Sequence, residues 1–89
     1  MRLLGITDIY SRGGYLIVKP YVNQVLRCVG AIVHDSVGRK VGVVVDVIGR
    51  VNDPRLVVKI ENHELGELLA HRKEKLYFTF QRKPKRIRK

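Results

Sequence analysis

Between residues 29 and 60 runs of valine, isoleucine and leucine are cut by turn formers at short intervals, and no helix is placed between them. Residues 29–34 form one β run, Asp35-Ser36-Val37-Gly38 a turn, residues 39–48 a second run, Gly49-Arg50-Val51-Asn52-Asp53-Pro54 another turn, and residues 56–60 a third run. β-Branched runs bounded by Gly, Asn, Asp and Pro are strand-and-turn signals. Strands this closely spaced leave no room for the helical crossover of a parallel sheet, so an antiparallel barrel or sandwich is expected.

The flanks extend the pattern. Residues 3–10 and 15–19 are rich in Leu, Ile, Val and Tyr and are joined by Ser11-Arg12-Gly13-Gly14, a hairpin signal. Pro20 and the aperiodic Asn23-Gln24 then predict a loop crossing to the next strand. After residue 60 the period changes: Leu65, Leu68 and Leu69 fall at i, i+3, i+4 behind Asn62, predicting one short helix at about residues 62–70. Lys75 to Phe80 reads as the last strand, with Leu76, Phe78 and Phe80 on one face. Eighty-nine residues support one core, so residues 1–81 are read as a single all-β domain and residues 82–89 as a tail.

The valine run poses a problem of its own. Strict alternation puts Val41, Val43, Val45 and Val47 on one face and Gly42, Val44, Asp46 and Ile48 on the other, so both faces are largely apolar. If the four valines face the core, Val44 and Ile48 join Val51 and Pro54 in an outer apolar surface, a candidate docking patch. The alternative is that residues 61–71 fold over this surface and cover it.

Charge is concentrated at one end. Six of the 18 Lys and Arg residues, Arg82, Lys83, Lys85, Arg86, Arg88 and Lys89, lie in the last eight positions, and the remaining twelve face eight carboxylates. Such a block is expected to be disordered and to suit a phosphate-rich partner, since each neutralised phosphate releases counterions. A purely solubilising tail is the alternative reading.

The residues do not assemble an active site. Ser11, Ser36, Thr7, Thr79 and Cys28 lack the setting of an activated nucleophile, and His63 and His71 are too far apart on a helix to share a metal. Gly38-Arg39-Lys40 leads into a strand rather than opening a helix and so is no phosphate loop. Glu64 and Glu67 read as a solvated helix face beside Arg72 and Lys73. Tyr10, Tyr15, Tyr21 and Tyr77 match no RNA-recognition signature. No catalysis, metal, cofactor or small-molecule substrate is expected. A single cysteine and the absence of a long apolar run or secretory leader point to a cytoplasmic protein outside the membrane.

The segment Gly42-Val43-Val44-Val45-Asp46-Val47-Ile48-Gly49-Arg50-Val51-Asn52-Asp53-Pro54-Arg55-Leu56-Val57-Val58-Lys59 resembles the core of the Gar-type subunit of H/ACA ribonucleoproteins, in its short archaeal form. Leu4-Gly5, residues 14–18, residues 37–40 and residues 74–77 extend the likeness over most of residues 3–80. The resemblance implies a six-stranded antiparallel barrel that is not an enzyme. It would dock on the catalytic subunit of the complex, a pseudouridine synthase, and govern a mobile loop of that subunit, promoting substrate RNA loading and product release in rRNA pseudouridylation. The resemblance places it in the guide RNA particle without requiring that it touch the guide RNA itself. Carried over by position, the docking residues would be Ile48, Gly49, Val51, Pro54 and Leu56; the nucleic-acid reading of the basic tail rests on its charge.

Two departures stand out. Arg50 occupies a position where the family usually has proline, and the glycine–arginine repeats of the eukaryotic relatives are missing. Residues 33–42 also resemble the turn-plus-strand pattern of PRC-barrel modules, such as those of ribosome maturation factors that bind a ribosomal protein. A basic barrel that binds RNA directly is the third reading.

Overall fold

The computed structural model describes residues 2–11 and 13–80. Six strands, β1 (Arg2–Ser11), β2 (Tyr15–Pro20), β3 (Ile32–His34), β4 (Lys40–Arg50), β5 (Asp53–Lys59) and β6 (Lys75–Thr79), close into a barrel in the order β1-β2-β5-β4-β3-β6. Every pairing is antiparallel. The one α-helix among the described residues, α1 (His63–Arg72), links β5 to β6. The all-β, six-stranded antiparallel barrel with one short helix expected from the sequence is therefore the observed fold. The charged tail at 82–89 lies outside the described residues.

The interior takes side chains from all six strands. Leu4, Leu16, Val33, Val44, Leu56 and Leu76 are each 1% exposed or less, with Val18 and Val58 beside them. Burying a Val or Leu side chain fully contributes about 1.5–3 kcal/mol, so this layer dominates the stability of the barrel.

Each end is closed by a different device. At one end α1 lies against β1: Leu69 is 2% exposed, and the buried Thr7 hydroxyl donates to the Leu69 carbonyl at 2.7 Å. Asn62 caps this helix, its side chain accepting from the Leu65 N–H at 3.1 Å, which satisfies one of the donors a helix N-terminus leaves over. Leu65 and Leu69 face inward, whereas Leu68 points outward, so two of the three leucines in the sequence stripe pack.

At the other end the β2–β3 crossing, read from the sequence as a plain loop, contains a 3₁₀ turn at Val25–Cys28. Cys28 is its buried residue. Val29 to Ala31 are not strand, as the alternation suggested. They are held to the barrel wall by the Gly30 N–H donating to the Val44 carbonyl at 2.7 Å and the Val44 N–H donating to the Ala31 carbonyl at 3.0 Å. Phe80 lies past the end of β6 and is 57% exposed, outside the core that Leu76 and Phe78 enter.

Strand β4 breaks the alternation assumed for it. Against β5 its register runs Val44↔Val58 and then Asp46↔Val57, so Val45 is an extra residue. A bulge of this kind moves the residues next before it onto the opposite face from the one parity predicts, while Val41, past a second register shift against β3, keeps the core place alternation gave it. Val44 thus sits in the core, while Val45 is 42% exposed. Beyond the bulge Val47 faces inward, as expected, opposite Leu56. Gly42, one residue pair earlier, meets the Lys59 carbonyl so closely that a Cβ there would collide with it.

Candidate docking surface

The hairpin of β4 and β5 extends from the barrel end that holds the 3₁₀ turn. Its strands pair down to Arg50↔Asp53, leaving Val51 and Asn52 as a two-residue loop. Val51 is fully exposed at 101% of its reference area, and Ile48 is 44% exposed on the outer face. Pro54 is half-buried and Gly49 is exposed with φ at +94°. Only glycine takes that conformation without strain, and a Cβ would also stand 2.9 Å from the Asp53 carbonyl oxygen. Val51 and Asn52 keep negative φ, so the left-handed residue of this hairpin lies in the strand and not in the turn.

The base of the hairpin is fastened by charge. Arg55, paired with Ile48 across the strands, donates from Nη1 to Asp53 Oδ1 at 2.6 Å and to the Pro54 carbonyl at 3.0 Å. Its Nε lies 3.6 Å from Asp8 Oδ2 on β1. Lys73 closes the chain of contacts, donating from Nζ to the Asp8 carbonyl at 2.6 Å. The hydrogen bond from Arg55 to Asp53, with the nearby carboxylate charges, holds the guanidinium pKa above its ordinary value. These contacts are partly exposed, so each contributes little stability alone. Together they orient the loop.

Beside the tip, Pro20, Val22, Val25, Val51 and Pro54 line a groove of about 320 Å³ together with polar and charged residues, among them Lys19, Asp53 and Arg55. An exposed apolar side chain at a hairpin tip, beside a groove of mixed apolar and charged lining, is a geometry that suits an interface anchor, in which a few buried contacts supply most of the affinity. Helix α1 does not cover this surface, since Val45, Ile48 and Val51 all remain exposed. The covering alternative raised by the sequence is excluded.

Of the residues assigned to docking by resemblance, Ile48, Gly49, Val51 and Pro54 gather at the hairpin. Leu56 does not belong with them: it is 0% exposed and part of the core, because its side chain points inward opposite Val47. Val44 leaves the outer patch for the same reason. The assigned tail residues, Arg82, Lys83, Lys85, Arg86, Arg88 and Lys89, lie outside the described residues.

The sequence reading missed an outward apolar row that crosses four strands. Ile9 pairs with Ile17, Ile17 with Val57, and Val57 lies beside the bulged Val45. Ile9 is 59% exposed and Val45 42%, with Ile17 and Val57 half-buried between them. Ile9 and Ile17 lie on the outer faces of β1 and β2, and only the strand order, with β5 beside β2, joins them to the valine strand.

Among the described residues no cluster of His, Cys, Asp or Glu could hold a metal ion, and no helix is long and apolar enough to cross a membrane. No family model matches the chain, and no curated protein matches it.

Proposed function

We propose that this chain is a non-catalytic accessory subunit of an H/ACA guide-RNA ribonucleoprotein, docking through its β4–β5 hairpin on the pseudouridine synthase subunit. Its role is to promote substrate RNA loading and product release in rRNA pseudouridylation. The observation that carries the reading is the fully exposed Val51, placed at the tip of a charge-fastened hairpin within the segment that resembles the Gar-type subunit. A valine exposed to this degree contributes nothing to the barrel's own core, and its placement suits capture by an apolar pocket of a partner.

The reaction itself belongs to the synthase. An accessory subunit that controls how RNA enters and leaves alters steps that limit repeated turnover. The test adds the purified chain to a synthase–guide-RNA particle and compares pseudouridine formation in multiple and single turnover. Multiple turnover should rise clearly and single turnover much less. Equal rates with and without the chain, or failure of the chain to bind the synthase at all, would overturn the proposal.

A further inference from the structure

On the same barrel end, across residues 22 and 23 from the hairpin groove, lies a second and larger groove of about 480 Å³. Its rim carries two aromatic rings, Tyr21 and Phe80, and two guanidinium groups, Arg2 and Arg27. Asn23 and Gln24 supply amide groups, and Cys28 and Phe78 form the buried floor. No residue lining the groove is acidic.

The two rings are exposed yet held. Tyr21 is 51% exposed, but its backbone N–H donates to the Leu4 carbonyl at 2.8 Å. Phe80 is 57% exposed and meets the buried Phe78 edge to face, with centroids 5.5 Å apart. Arg27 donates to Gln24 Oε1 at 3.0 Å, and neither Arg2 nor Arg27 has a carboxylate partner among the described residues. By contrast, Glu61, Glu64, Glu67 and Glu74 cluster on and around α1 at the opposite end of the barrel.

Exposed aromatic faces interleaved with unpaired cations fit one ligand chemistry in particular. Bases freed from a duplex stack on such rings, while phosphates meet the guanidiniums. The sequence adds a further argument: one residue after Phe80 begins a stretch, residues 82–89, that carries six cations, a charge block that suits a phosphate-rich ligand.

We infer that this groove is a binding site for a single strand of nucleic acid, with Tyr21 and Phe80 as stacking platforms and Arg2 and Arg27 as phosphate contacts. The site lies beside the hairpin without sharing its anchor residue, and it does not depend on the docking proposal.

The test uses the full chain alone and a fluorescein-labelled decamer of uridine, with the matching deoxythymidine decamer and an RNA duplex as the other arms. Fluorescence anisotropy should give single-strand binding well above duplex binding, and the RNA and DNA arms show which sugar is preferred. Tyr21→Ala with Phe80→Ala should weaken single-strand binding by about tenfold or more with all tail cations in place. Arg2→Gln with Arg27→Gln should flatten the dependence of log affinity on log salt by roughly one to one and a half units. Both double variants alter exposed side chains, and an unchanged far-ultraviolet circular dichroism spectrum confirms the barrel. If either intact double variant binds the decamers as wild type does, or if duplex binds as well as single strands, the groove is not the site and the tail accounts for the binding.

Discussion

Gly49, paired with Pro54 across the β4–β5 hairpin, takes a left-handed conformation with φ at +94°, and a Cβ on it would stand 2.9 Å from the carbonyl oxygen of the neighbouring Asp53. Two independent constraints, dihedral angle and space, thus reserve the position for glycine. Gly49→Val is expected to destabilise the protein by about 1–3 kcal/mol, the range for a non-glycine residue forced into a sparsely populated backbone region. Urea denaturation measures it, and an unchanged midpoint would show that the hairpin relaxes without cost.

The bulge at Val45 reverses which valines matter. Val44→Asp would place an unpaired charge in the core and is expected to abolish folding, whereas Val45→Asp, on a side chain 42% exposed, should leave the barrel intact with a change within about 0.5 kcal/mol. Circular dichroism of the two variants decides the register. A folded Val44→Asp beside an unfolded Val45→Asp would restore the simple alternation.

Asp35 fastens the β3–β4 turn and makes its stability depend on acid. It is 2% exposed and accepts from the Val37 and Arg39 N–H groups at 3.1 and 2.8 Å and from Arg39 Nε at 2.9 Å. Burial pushes its carboxyl pKa up, but the Arg39 hydrogen bonds and charge, with the Val37 N–H, outweigh this and hold it below the ordinary value. A depressed folded pKa means that the contribution is present above the unfolded value of about 3.9 and is lost as pH falls through the folded value. Asp35→Asn should therefore lower stability at pH 7 by about 1–3 kcal/mol and flatten the loss of stability below about pH 4. Thermal melts from pH 7 down to pH 2 give the comparison, and parallel curves for wild type and variant would contradict it.

Cys28 plugs the barrel end opposite α1, and burial raises its thiol pKa. Alkylation at pH 8 should be slow in the native protein and fast in denaturant, with the native rate tracking opening of the Val25–Cys28 turn. Rapid labelling of the folded protein would show that this end is open.

How much of this was legible beforehand follows from what each signal depends on. The first hairpin, the β3–β4–β5 strands and α1 with its Asn62 cap rest on local chemistry, and each stands within a few residues of its expected place. The face of Val44 depended on a bulge, and a run of valines carries no mark of one because valine suits either side of a strand. The position is set by the partner strand. Leu56 was misassigned for a related reason: resemblance places a residue in a segment but not on a face. The groove of Tyr21 and Phe80 joins residues that only closure of the barrel brings together.

The central claim is that the β4–β5 hairpin is the docking element, and the most direct measurement is the dissociation constant of the chain for the pseudouridine synthase, by calorimetry, with wild type and Val51→Asp. Val51 makes no core contact, so the variant should melt like wild type while losing at least about 30-fold in affinity, the loss expected for an interface anchor worth about 2 kcal/mol. A Val51→Asp protein that binds the synthase as tightly as wild type would contradict the account.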